Sequence, residues 1–162
     1  MVLVPYVLLE DSGHLMSGMR SFFRFPMLLV VLALGIAVHE LIHGLSWQLL
    51  NAGKKSAVVY GFQWKTLTPY AHITEATTAK TYRLGTAAPG IILGALPLML
   101  GLIINDGWLI WFGTLFTMAA GGDALILWKL RGTPSSALVE DHPTKPGCIV
   151  HIPIVEPFDA AQ

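Results

Sequence analysis

The stretch FPMLLVVLALGIAVHELIHGLSWQLL, Phe25 to Leu50, decides how this chain is read. From Met27 to Val38 it is wholly apolar or glycine. The run exceeds the ~20 residues that cross a hydrocarbon core about 30 Å thick. Two more such runs follow, at about Leu84 to Asn105 and about Gly107 to Trp128. They account for a composition that is 54% hydrophobic and 12% charged over 162 residues, against about 25% charged in soluble domains. Three runs in so short a chain leave little sequence to cover them in water. The expectation is a mainly α membrane protein with about three transmembrane helices.

Inside the first run stands His39-Glu40-Leu41-Ile42-His43. Residues four apart share one face of a helix, one turn apart. Two imidazoles so spaced can hold one zinc ion at about 2.0–2.1 Å. Glu40 can reach a water at that ion without being a ligand, as a general base must. Histidines and a carboxylate inside a span are costly unless partnered or wetted. The alternative is that they serve as hydrogen-bonding glue between helices.

A catalytic zinc site takes about three protein ligands and leaves one position open. Asp123 is the candidate for the third, being the one charged residue inside the third run. Gly121 and Gly122 precede it and allow another helix to come close. His43 lies seven residues before Leu50 and Asp123 six before Lys129. At ~1.5 Å per residue, both sit about 9–11 Å below the same surface. His72, Glu75, Asp141 and His142 rank behind Asp123 as ligands. His72 is also a candidate for lining the site and steadying an oxyanion. His14 and His151 have no supporting context.

Around the runs, residues 1–24 form a mixed N-terminal segment, with Met1 to Leu9 apolar but too short to span. Residues 25–130 form the membrane-embedded part and 131–162 a polar tail on the cytoplasmic side. The loop between the first two runs is rich in Val, Tyr, Phe, Trp and Thr. It reads as a β-hairpin over 56–75, with strands Ser56 to Gln63 and Leu67 to Glu75 around Trp64-Lys65-Thr66. Pro69 makes the second strand an edge or shortens it. In the tail, Cys148 to Val155 is another candidate strand, interrupted by Pro153. Asn105-Asp106-Gly107 is a tight turn joining the second and third runs. Lys54, Lys55, Lys65, Lys80 and Arg83 in the loop, with Lys129, Arg131 and Lys145 in the tail, put that side in the cytoplasm. Arg20 and Arg24 count against this orientation. A formal net charge of zero gives no reason to expect nucleic-acid binding, and the single Cys148 excludes an internal disulfide or a multi-cysteine metal site.

The motif His39-Glu40-Leu41-Ile42-His43-Gly44, the β-rich loop and the later Gly122-Asp123 together resemble the site-2 protease class of intramembrane zinc metalloproteases. Within it the chain looks like a small bacterial branch of zincin-like membrane peptidases of unknown function, which Pro69-Tyr70-Ala71-His72 and Pro89 also suggest. The resemblance covers about residues 27 to 145. It implies zinc held by His39, His43 and Asp123, water activated by Glu40, and a membrane protein or peptide as substrate, in a bacterial cell membrane. Met118 to Gly122 replace the Asn and Pro pattern that usually precedes the aspartate in that class. The expected activity is zinc-dependent peptide-bond hydrolysis. The alternatives are a non-catalytic zinc-binding membrane protein and a metal-ion transport component, and the sequence leaves the oligomeric state open.

Overall fold

The computed structural model describes residues 12–51, 58–64, 67–143 and 147–152. Met1 to Leu9, the Lys65-Thr66 part of the hairpin connection and the Pro153 to Val155 end of the tail strand lie outside these residues. The elements are α1 (Ser12–Phe22), α2 (Met27–Leu50), β1 (Val58–Gln63), β2 (Thr68–Ile73), β3 (Thr77–Thr78), α3 (Ala79–Pro89), a π-helical turn (Gly90–Ala95), α4 (Leu96–Ile103), α5 (Gly107–Ala119), α6 (Gly121–Leu130), β4 (Leu138–Asp141) and β5 (Cys148–His151). The chain is mostly helical.

Among the described residues, two helices are long and apolar enough to cross a bilayer, Met27–Leu50 and Ala79–Ile103. The second begins five residues before the apolar run, because Thr78 caps it: its side chain accepts from the Thr81 backbone N–H at 3.2 Å. A cap decides a helix start whatever the polarity of the first turn, so Lys80 and Arg83 are helical. The third apolar run is a pair of helices, Gly107–Ala119 and Gly121–Leu130, bent by 48° at Ala120.

Helix α2 is inside-out by the standard of a soluble protein. Gly35, His43, Gly44 and Trp47 are its buried residues, while Leu29, Val30, Leu34, Ile36, Val38, Leu41, Leu45 and Leu49 are exposed. Glycines on the inner face bring neighbours close, as in membrane helix packing. A Cβ at Gly35 would press into the Phe116 ring of α5. In the same way Gly113 on α5 leaves room for the backbone at Gly94 and Leu98.

The hairpin is antiparallel, with Val58 opposite Ile73 and Gln63 opposite Thr68. Pro69 costs no ladder bond. It has the same strand parity as Ala71 and Ile73, whose N–H groups point away from β1 to carboxylates on other elements. The tail also folds onto the helices. β3, β4 and β5 form a three-stranded antiparallel sheet, and Ala137 and Val139 join Trp47, Val58, Ile73, Tyr82 and Leu130 in one core cluster. At the opposite end, α1 packs on the start of α5: Phe22 is fully buried with its ring against Trp108 and Phe112.

Candidate metal centre

Three donors meet where α2 passes α6. His39 Nε2 lies 3.1 Å from Asp123 Oδ2, and His43 Nε2 lies 3.3 Å from Asp123 Oδ1. The four-residue spacing on α2 puts both rings on the inner face, 4.8 Å apart by centroid. The bend at Ala120 starts a new helix, and Asp123 falls in its first turn. A carboxylate is favoured there by the helix dipole.

The two histidines are fixed differently. His43 Nδ1 donates to the Gly85 carbonyl at 3.0 Å. A carbonyl can only accept, so Nδ1 carries a proton, and in the neutral ring Nε2 turns its lone pair toward Asp123. A lone pair facing a carboxylate oxygen is repulsive unless a proton or cation stands between them. The His43 ring is also stacked on Trp47, 5.3 Å away and 15° from parallel. Trp47 Nε1 in turn donates to the Tyr82 carbonyl at 3.2 Å. Gly85 makes room for that indole. Orienting bonds of this kind, from the far nitrogen of a histidine to a carbonyl, are typical of metal ligands.

The donor set fits zinc. Ligand atoms around a tetrahedral zinc, with bonds of about 2.0–2.1 Å, lie about 3.3 Å from one another. The two imidazole–carboxylate separations match that spacing, and all three donors lie within 4.8 Å of one another. Two imidazoles and one carboxylate also suit zinc by ligand type. Among the described residues, no other three His, Cys, Asp or Glu donors converge in this way.

Glu40 stays outside the donor set. Its Oε2 accepts from the Ala71 backbone N–H of β2 at 2.9 Å. It lines a cleft of about 300 Å³ together with His43, Asp123, Tyr82, Thr86 and Asp141. Asp141 is the residue the sequence undervalued. Its Oδ2 accepts from the Ile73 N–H at 2.8 Å, its Oδ1 accepts from the Tyr82 hydroxyl at 2.5 Å, and His72 Nδ1 is 3.5 Å from Oδ2. Asp141 is thus engaged with β2 and α3 rather than with the histidines. His72 faces Asp141, and it is Asp141, not His72, that lines the cleft. His151 pairs with Glu140 at the surface, 3.1 Å away. The roles of Asp141, the Ala71 N–H and the Gly85 carbonyl had no motif to announce them. The only sequence cue was the acidic Glu140-Asp141 pair beside a short apolar run.

A family model described as "Putative zincin peptidase" matches residues 32–138. The chain belongs to this family. The matched region takes in His39, Glu40, His43, the hairpin and Asp123, and ends before Asp141 and β5. No curated protein and no solved structure matches the chain. A zincin assignment agrees with the donor set, since zinc is the usual metal of such peptidases and His39-Glu40-Leu41-Ile42-His43 has the spacing they use.

Proposed function

We propose that this protein is an intramembrane zinc metallopeptidase of the site-2 protease kind, cleaving membrane-associated peptides near the cytoplasmic face. The observation that carries the reading is the convergence of His39, His43 and Asp123 beside a Glu40 that is not a ligand.

His39, His43 and Asp123 would hold the zinc. When bound, zinc supplies a Lewis acid for a peptide carbonyl and acidifies a water. Glu40 is the general base. The Ala71 N–H holds its Oε2, and we assign Oε1 to take the proton of the attacking water and deliver it to the departing amine. The outer edge of β2 supplies peptide recognition. Its N–H groups at 71 and 73 point away from β1 and are covered by the carboxylates of Glu40 and Asp141. An unwound substrate strand pairs there by taking over the Ile73 donor from Asp141, while the Ala71 N–H keeps Glu40 in place. Unwinding is needed because a membrane helix hides its peptide bonds in its own hydrogen bonds.

The outward-facing leucines and valines of Met27–Leu50 support the membrane setting. Exposed side by side in water they would form an apolar patch far beyond what monomeric soluble proteins carry. The bent pair Gly107–Ala119 and Gly121–Leu130 would be a third, broken span, its break filled by the metal centre. The basic residues around the hairpin and tail argue for the cytoplasmic side.

Glu40→Gln is the test. It keeps the size of the side chain and removes the base. The purified variant should retain one zinc per chain and lose peptide cleavage in detergent. Full activity in that variant would end the proposal, and a zinc-free wild-type protein would end it sooner. A non-catalytic zinc protein or an ion conduit would be indifferent to the change.

A further inference from the structure

Next to the cleft that holds Glu40 lies a second pocket of about 570 Å³. It runs between α6 and β5. Asp123, Ile126 and Gly147 line both spaces, so a group seated against Asp123 stands at the mouth of each. Beyond those shared residues the lining is largely apolar, with Leu125, Leu130 and Val150 among it, and Lys129 is its one cation among the described residues. The volume lies in the range of ligand pockets, about 300–1,000 Å³. Gly122 also lines it, and a Cβ at Gly122 would meet nothing within 4 Å. The α6 wall is therefore kept low beside Asp123, where the reacting peptide bond would lie.

We propose that this pocket receives a bulky apolar side chain flanking the scissile bond and selects substrates by it. The inference rests on the metallopeptidase reading and adds the substrate class. The occupant follows from continuity: the pocket shares Asp123 with the metal centre, and its walls suit an apolar group. The other large apolar groove, lined by Ile92, Leu96, Met99 and Ile103, shares no residue with the centre. Each methylene that a hydrophobic pocket accepts is worth roughly 10-fold or more in discrimination. Leucine or phenylalanine should thus be favoured over alanine by at least that factor.

Cys148, the only cysteine, lines the pocket and reports on its filling. The experiment uses zinc-loaded full-length protein in detergent. The probes are the hydroxamates of acetic acid, alanine, leucine and phenylalanine, which share a zinc-binding head and differ in the side chain. The readout is the rate at which N-ethylmaleimide alkylates Cys148. Leucine and phenylalanine hydroxamates should protect the thiol at concentrations at least ~10-fold below that of the alanine compound. Gly122→Leu should narrow that gap, and so should Leu125→Trp, placed at a half-exposed position that tolerates the larger ring. Equal protection by the alanine and leucine compounds, with zinc bound, would overturn the pocket assignment alone. So would an undiminished gap in both filled variants. A wild-type chain without zinc would overturn the metallopeptidase reading and this inference with it.

Discussion

Gly85→Ala tests whether the metal centre is positioned by the face of α3 behind it. A Cβ at Gly85 would lie 2.9 Å from Trp47 Cγ and closer still to Cδ1 and Nε1. Trp47 cannot swing away. It is 4% exposed, stacked on His43 on one side and on Tyr82 on the other. Forcing a methyl group into such packing costs about 1–3 kcal/mol, and loss of the Trp47–Tyr82 hydrogen bond adds about 0.5–1.5 kcal/mol. Part of that strain falls on His43. Its ring follows the indole, and its Nδ1 bond goes to the mutated residue's own carbonyl. Disturbing such an orienting bond lowers metal affinity by about 10–100-fold. The assay is zinc competition against a chromophoric chelator in detergent, with Gly132→Ala as control because a Cβ there meets nothing within 4 Å. A folded Gly85→Ala protein that binds zinc as tightly as wild type would refute the claim that α3 orients His43.

Asp123→Ala should abolish stoichiometric zinc in metal analysis, while Asp141→Ala should keep it, because only the first carboxylate faces the histidines. Gly35→Ala should destabilise the protein by about 1–3 kcal/mol in a thermal or denaturant scan. Its Cβ would sit 3.0 Å or less from three ring atoms of Phe116, which is 2% exposed and cannot give way. Gly44→Ala should cost less than ~1 kcal/mol, since the Tyr60 ring it meets is 43% exposed and free to move outward. Burial and the nearby Asp141 carboxylate both hold the Cys148 thiol above its ordinary pKa. Both disfavour the thiolate, so alkylation by N-ethylmaleimide should rise with pH later than for a free cysteine, and Asp141→Asn should move the rise to lower pH.

The parts legible in the sequence are those with a local pattern. The apolar runs mark the helices, the spacing of His39 and His43 puts them on one face, and a concentration of β-branched and aromatic residues marks the hairpin. Asp123 was legible as the one charged residue of the third run, behind two glycines and at the same depth as His43. α1 escaped because it is short and polar. Its signal was there in Leu15, Gly18 and Phe22, buried at a spacing of three and four. β4 is four residues long and half charged, too short for alternation to show. The break at Ala120 comes without a proline, and the Gly121-Gly122 pair after it is its one local cue. Asp141 and the Gly85 carbonyl act on partners 42 to 68 residues away in the chain, a relation that only the folded chain defines.

Two of the groups around the centre explain each other. Glu40 and Asp141 come from different ends of the chain, yet each caps one outward N–H of the same strand, at positions 71 and 73. A buried edge donor without a partner is costly, so the hairpin is held against α2 by one carboxylate and against the tail sheet by the other. The proposed general base is therefore also a structural contact, and its reach toward the histidines is set by where β2 lies. That dependence explains why the tail sheet packs on the same core as the hairpin: Val139 and Ile73 share one cluster, and the strand that positions Glu40 is fixed from both sides. Two carboxylates and one short strand thus brace the centre, and under the proposed function that strand must still yield its edge at Ile73 when a substrate arrives.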